Sequence, residues 1–600
     1  MMSKNGGGFA MPVTEMSNDV TECIDVASPQ DIVEMLSICD NEMLNGWKDF
    51  KSLASPDLHD NILKVSDAVS NVLKHKKGTV ILSGCGTSGR IAFLLSRKFN
   101  ELLVELGLEP CFDYLIAGGD KALFTSQEAP EDDPVSGKKA LQKALDGKDC
   151  AILIGITCGL SAAFIAGQLD YCMENLDVLT PVLLGFNPIL NSKDVEIENW
   201  DKTFLQVAEK LQKFEKKGKS FIINPILGPE AITGSSRMKG GSATKFILEL
   251  VFTKAIQNVV STPSSHRQLN IACLHEMQTT ISKATYAIKR DIASLVQTAG
   301  NSMNSDGHVY YIGAGLSGIL GLIDASECPP TYSSEFDDIR GFLVDGYESF
   351  KNKEGSMSNK GEEYSISLDH FICKIQPSLS TNDTVIFILH SNYLKEFHRI
   401  YEQLKGVCSA AAIFVEGPFE DTQSKKYVTQ FFPCALIVNV PWHQILSLFD
   451  SDKKQQKEDK ILNAALYGGV ELAIKFILNT VSTGAHVLKG KVYKHYMVDM
   501  KLNNSKLFNR GINIVQRLGG CSKKVATDAI LKSIYQTDHL PEGIHEEKIS
   551  QHILQANGGT KLVPLALVLA IKNCTVQEAK AALNSSKQIR TAINQTYDAD

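Results

Sequence analysis

Gly84-Cys-Gly-Thr-Ser-Gly-Arg90 follows an apolar, β-branched run and opens onto a helix-like one, Ile91 to Leu95. A glycine-rich turn between strand and helix aims several backbone N–H groups at one point. Here Gly86 frees the backbone while the Thr87 and Ser88 hydroxyls add donors, which is chemistry for holding a phosphate. Two more hydroxyl-bearing turns precede helical patterns: Thr157-Cys158-Gly159-Leu160-Ser161, after the run Ala151–Ile156, and Thr233-Gly-Ser235-Ser236-Arg237-Met-Lys239, before Ala243 to Phe252. Arg237 and Lys239 fall in a first helical turn, where the dipole disfavours cations, so they point to an anion bound there. The chain then repeats the first turn as Gly313-Ala-Gly-Leu-Ser-Gly-Ile319, with Leu316 and Ile319 in place of Thr87 and Arg90, and Gly159-Leu160-Ser161 has become Ser391-Asn-Tyr393. One intact and one degenerate phosphate site are expected.

The elements that must position these turns also recur. Gly84 and Gly313 are 229 positions apart, Lys245-Phe-Ile-Leu recurs as Lys475-Phe-Ile-Leu at an offset of 230, and Asp149-Cys-Ala-Ile-Leu-Ile answers Asp383-Thr-Val-Ile-Phe-Ile at 234. A collinear repeat this long means duplicated domains rather than a solenoid. Within each copy short apolar runs (Val80–Ser83, Ala151–Ile156, Pro181–Gly185; Val309–Ile312, Val385–Leu389, Ala411–Val415) alternate with helical patterns. The fold class is therefore α/β, with a parallel sheet flanked by helices in each copy and ligands outside the carboxyl ends of the strands. Boundaries are set at 1–67 for an N-terminal helical extension, 68–270 and 285–499 for the two α/β domains, and 500–600 for an all-helical cap whose caps include Ser522 and Thr575. Ser451 to Lys460 reads as an exposed loop.

Composition narrows the chemistry. A chain of 600 residues with net charge −7 and no long basic tract argues against nucleic acid or an anionic membrane as partner. Its 14 cysteines show neither C-x-x-C pairs nor zinc spacing, so they read as apolar fillers in a reducing compartment, and no metal or cofactor is expected. The first residues lack the apolar core of a signal peptide, and no run approaches bilayer-spanning length, so a cytosolic or nuclear protein is expected.

The turn at Gly84, the segment Leu115-Ile-Ala-Gly-Gly119 with Glu128 and Glu131-Asp132 behind it, Thr233 to Lys245, and in the second copy Gly313 to Tyr332 and Ser482 to Val515 resemble the N-acetylmuramate 6-phosphate etherases of the sugar isomerase (SIS) domain superfamily. Those enzymes carry one such domain per subunit and work as dimers. Two copies plus a helical tail instead resemble the glucokinase regulatory protein family, over nearly the whole chain. The etherases use two glutamates. By that resemblance the first copy has Lys98 where the first acid belongs and Glu131 at the second, while the second copy keeps only the first, Glu327. Two arrangements stay open: Glu327 reaches across the pseudo-two-fold axis to rebuild a carboxylate pair, or, as expected here, both carboxylates hydrogen-bond sugar hydroxyls and no elimination occurs.

The resemblance further implies a non-catalytic, sugar-phosphate-sensing regulator that binds and inhibits glucokinase and holds it in the nucleus, distributed between nucleus and cytoplasm. Fructose 6-phosphate would strengthen the complex and fructose 1-phosphate weaken it. The ligand residues would be Gly86, Thr87, Ser88, Glu131, Thr157, Cys158, Gly159, Ser161, Ser235, Ser236, Glu327 and Lys506, the last closing over the ligand, with Thr157 and Cys158 lacking a clear family match. Leu448, Phe449 and Asp450 stand where the family carries a partner contact. The alternative is a working etherase-like lyase.

Overall fold

A computed structural model describes residues 12–127, 129–197, 200–260, 269–449, 456–502, 505–586 and 588–594, apart from the side chains of Gln456, Ser505 and Lys506. Five strands build the first sheet: β1 (Gly78–Gly84), β2 (Phe112–Ile116), β3 (Cys150–Ile156), β4 (Leu179–Leu184) and β5 (Phe221–Ile223), all parallel, in the order β2-β1-β3-β4-β5. Five more build the second: β6 (Val309–Gly313), β7 (Ile339–Leu343), β8 (Thr384–Ile388), β9 (Ser409–Val415) and β10 (Ala435–Val438), in the order β7-β6-β8-β9-β10. The two orders are the same, so the duplication read from spacing is a duplication of topology.

Gly84 lies in register with Ile156, and Gly313 with Ile388, so the turns leaving β1 and β3, or β6 and β8, emerge side by side. Strand order reverses between those neighbours, which makes each such pair the ligand-binding edge of its sheet. β1 and β6 are buried along their whole length beneath helices on both faces, as their unbroken apolar runs foretell. β2 alternates buried and half-buried residues around Asp113, and β7 contains Arg340, so neither shows as an apolar run.

One apolar core runs through the N-terminal helices and both α/β domains, from Ile24 and Leu36 through Val80 and Phe246 to Ile319 and Ile477. Its spine is the helix Gln456–Leu488, packed on Lys239–Val260, Ile271–Tyr286, Lys289–Asn304 and Gly315–Tyr332. Two expectations fail on this spine. Its residues from Gln456 to Lys460 are helical rather than loop, while 451–455 lie outside the described residues. It is also long and apolar enough to cross a bilayer, with mean hydropathy 1.6, but 83% of that apolar window is buried inside the protein. The helix Pro56–Leu73 packs on Lys239–Val260 and β1, so position 67 falls inside an element of the first α/β unit. The C-terminal helices enclose a separate core that starts at Tyr493 and includes Phe508, Ile530 and Leu567.

Candidate functional site

The first cradle depends on its glycines. Gly86 has φ +49, and a Cβ on Gly84 would fall 2.5 Å from the Gly89 nitrogen. The helix Gly86–Glu105 starts from Cys85 with no side-chain cap, which leaves its first N–H groups available to an anion. Beside it, Thr157 Oγ1 accepts from the Ser161 amide at 3.3 Å and Leu160 sits at φ +52, folding the loop after β3 back over the sheet edge. Ser88 Oγ and Cys158 Sγ are 3.8 Å apart, and the Cys158 thiol also faces the Ser236 and Thr244 hydroxyls. Burial pushes that thiol up to about 11, so it is a neutral filler there. Asn187 Nδ2 donates to the Gly159 carbonyl at 3.0 Å and to Thr14 Oγ1 at 3.1 Å, tying the N-terminal segment to the loop. Three turns distant in sequence therefore meet, bringing Gly86, Thr87, Ser88, Thr157, Cys158, Gly159 and Ser236 together. Ser161 is exposed at the rim, and Ser235 is buried with its hydroxyl unpartnered among the described residues.

Both expected carboxylates converge on this cradle, one from each half. A Cβ at Gly86 would lie 3.6 Å from Glu131 Oε1. Glu327, on the helix Gly315–Tyr332 of the second half, is 2% exposed, and neither of its oxygens has a hydrogen-bond partner among the described residues. Burial raises its pKa, while Lys475, Arg90, Arg237 and the Thr87 hydroxyl around it pull the other way. Buried Arg90 faces both Glu327 and Glu131 and donates through Nε to the Leu123 carbonyl at 3.3 Å. A buried carboxylate with no hydrogen bond of good geometry, near the Thr87 hydroxyl, cations and an uncapped helix start, has acceptor capacity left for a polar ligand.

Arg237 and Lys239 do not mark a bound anion. Arg237 pairs with Asp324 of the second half at 3.0 Å and donates to Ser482 and Thr483 at 2.9 and 2.7 Å. Lys239 Nζ is held by Glu42 at 2.5 Å and by two backbone carbonyls. The anion at this helix start is the protein's own Glu230, whose carboxylate accepts from the Lys239 and Gly240 amides at 3.0 and 2.8 Å.

Three family models match the chain in order: the glucokinase regulatory protein N-terminal SIS domain over residues 64–173, the second SIS domain over 286–489, and the C-terminal lid domain over 494–593. Full-length relatives agree. A glucokinase regulatory protein of Xenopus laevis is 39% identical over 98% of this chain and 94% of its own length. The chain belongs to the glucokinase regulatory protein family. The Homo sapiens member is 37% identical over 98% of this chain and 93% of its own, whereas an N-acetylmuramic acid 6-phosphate etherase of Nostoc sp. is 27% identical over 41% of this chain and 70% of its own.

In this member of the glucokinase regulatory protein family the repeat-related positions, three in the first half and Glu471 in the second, hold a different set of groups. At the repeat offsets, Lys98 answers Glu327, Lys245 answers Lys475, Glu249 answers Asn479 and Glu471 answers Gly241. Lys98 Nζ lies 2.8 Å from Glu249 and 3.2 Å from Glu471, and Lys245 Nζ lies 2.7 and 2.9 Å from the same two carboxylates. Four charges thus neutralise one another where the first site leaves a carboxylate unpartnered. Sequence inspection noticed Lys98 and the repeated lysine but not this exchange, which appears only once four positions are compared as a set.

The lid domain borders a cleft of about 360 Å³ lined by Ser126, Pro329, Pro330, Met497, Met500 and Arg510, none of them a cradle residue. Arg510 reaches from the lid to the Thr233 carbonyl at 3.4 Å, beside the Ser235 turn. Lys506, on the same lid helix Ser505–Gly519, has its side chain outside the described residues, as do Asp450 and Glu128 altogether. The partner-contact expectation is corrected at Phe449, which is 4% exposed and packed in the main core, with Leu448 half-buried against it. An aromatic ring spent on the core offers no anchor in this conformation.

Proposed function

We propose that this chain is a sugar-phosphate sensor that binds glucokinase and inhibits it, fructose 6-phosphate strengthening the inhibition and fructose 1-phosphate relieving it. The observation that carries the reading is Glu327, buried at the first cradle with both oxygens unpartnered, opposite Glu131 and next to Thr87 and Arg90. A phosphate on the uncapped helix start would set a sugar's hydroxyls between the two carboxylates. Opposite effects from two ligands of one site require each to favour a different conformation, because equal affinity shifts nothing. Family membership supports glucokinase as the partner. The same reading places the chain in nucleus and cytoplasm, which fluorescence imaging of the tagged protein with glucokinase tests. Added to a glucokinase assay, the protein should lower activity, and Ser88→Tyr, which fills the cradle, should make that inhibition indifferent to both fructose phosphates. Unchanged glucokinase activity at equimolar excess of folded protein refutes the reading.

A second reading is favoured by one observation: Glu131 and Glu327 both face Arg90, so the paired acids of the etherases are reassembled from two domains. A working lyase would release lactate from N-acetylmuramate 6-phosphate and lose that activity in Glu131→Gln. No lactate above background leaves the regulator standing alone.

A further inference from the structure

The repeat supplies an internal comparison for one residue that neither the motifs nor the family relationship singles out. Lys475, 4% exposed on the spine helix of the second half, donates to the Arg237 carbonyl at 2.8 Å and to Asn479 Oδ1 at 2.6 Å. Its counterpart Lys245 has three protein acceptors: Glu249 at 2.7 Å, Glu471 at 2.9 Å and the Gly468 carbonyl at 3.1 Å. An ammonium group has three protons. Lys245 spends all of them on protein, whereas Lys475 has two acceptors among the described residues and lies near Glu327 without a hydrogen bond or ion pair to it.

The space between these groups is bounded. A Cβ at Gly241 would lie 3.0 Å from Thr87 Cγ2 and 3.4 Å from Lys475 Nζ, so the cradle threonine and the lysine pack closely about one position that only glycine fits without displacement. In the second half the matching position is Glu471, and its carboxylate occupies Lys245 and Lys98 instead.

We infer that Lys475 is a positioning residue for sugar recognition: it balances the buried charge of Glu327 so that this carboxylate accepts hydroxyl hydrogen bonds from a phosphorylated sugar held in the first cradle. This rests on the reading of that cradle as a sugar-phosphate site. Phosphate itself is held by the helix start, Thr87 and Ser88, so Lys475 acts on the sugar and not on the phosphate. The charged groups facing the pair are Arg90 from the helix Gly86–Glu105, Arg237 ahead of Lys239–Val260, Asp40 from the helix Pro29–Asn45, and Asp324 and Cys328 on Glu327's own helix. Arg90 and Arg237 are already engaged with backbone carbonyls and with Asp324. Lys475 is therefore the counter-charge whose removal leaves Glu327 most exposed to the cost of burial.

Titration calorimetry of the full chain tests this with fructose 6-phosphate, fructose 1-phosphate and inorganic phosphate. Lys475→Met should weaken both fructose phosphates about tenfold or more and leave inorganic phosphate within about twofold. Sugar-phosphate binding in that variant should also recover as pH rises, as Glu327 ionises unaided. Glu327→Gln/Lys475→Met, which restores charge balance, should bind no more weakly than Glu327→Gln alone and show no such recovery. Equal losses for phosphate and sugar phosphates, with an unaltered pH profile, make Lys475 merely structural and overturn the inference, as do additive effects in the double variant. A wild-type chain that binds phosphate but neither fructose phosphate overturns the underlying site reading as well, whereas fructose phosphates bound equally by wild type and Lys475→Met overturn this inference alone.

Discussion

The fold works against the charge on Glu230. Burial pushes its carboxyl up to about 7 despite Lys239 and two amide donors. Its folded pKa lies above the unfolded value near 4.5, so the native state binds the proton more tightly. Its contribution to stability is complete below about pH 4.5 and lost as pH rises through 7, and Asp40, raised to about 6 by burial, acts in the same direction. Thermal melts between about pH 5 and 8 should therefore show a decline that Glu230→Gln flattens by on the order of 2 kcal/mol. A slope unchanged by that substitution disproves the assignment. Glu230 was not legible in the sequence, because nothing in Pro-Glu-Ala announces that this glutamate reaches a helix start nine residues away. The cradle hydroxyls were, since their spacing alone sets a strand-to-helix turn. Glu327 was legible as an acid of the second half, and the fold brings it to the cradle of the first.

At the scale of elements, Arg237 staples the loop ahead of Lys239–Val260 to the helix Gly315–Tyr332. Asp324 opposite it is bound as well by Asn479 at 2.7 Å and Ser482 at 3.0 Å, so the pair sits within a buried hydrogen-bond network. Removing one partner leaves an uncompensated charge. Arg237→Met should cost about 3–5 kcal/mol in urea unfolding, and Arg237→Met/Asp324→Asn should recover part of that loss. Additive losses in the double variant would rule the pairing out as the cause. Apolar runs disclosed β1, β3, β4, β6, β8 and β9 to within two residues. They missed β5, with three residues, and β10, with four, as well as β2 and β7, whose Asp113 and Arg340 break the run although neighbouring backbone shelters them. The inter-domain staple was misread as an anion signal for a related reason: a cation at a helix start implies a negative partner, but sequence does not say whether that partner is a ligand or the protein itself.

The whole molecule divides thermodynamically in a way its repeat does not suggest. Both SIS domains share one core with the N-terminal helices, each has a further core on the other face of its sheet, and the lid has its own. Calorimetry should show two transitions, one for the fused pair of SIS domains and one for the lid, rather than one per repeat. Arg590 ties the lid to the N-terminal segment through buried Asp25, at 2.8 and 2.9 Å. Arg590→Ala should lower only the lid transition, by roughly 1–3 kcal/mol. A single merged transition in both proteins contradicts this division. The lid's helical character was plain from its caps and lack of strand runs, but its separateness was not, because independence is a property of which side chains fail to touch. The quartet of Lys98, Lys245, Glu249 and Glu471 carries a last consequence. Two equivalent sites related by symmetry can answer a ligand steeply, whereas here the groups at the repeat-related positions pair with one another. On the sugar-phosphate reading proposed above, a single cradle saturates along a simple hyperbola spread over about two decades of concentration, a gradient rather than a threshold.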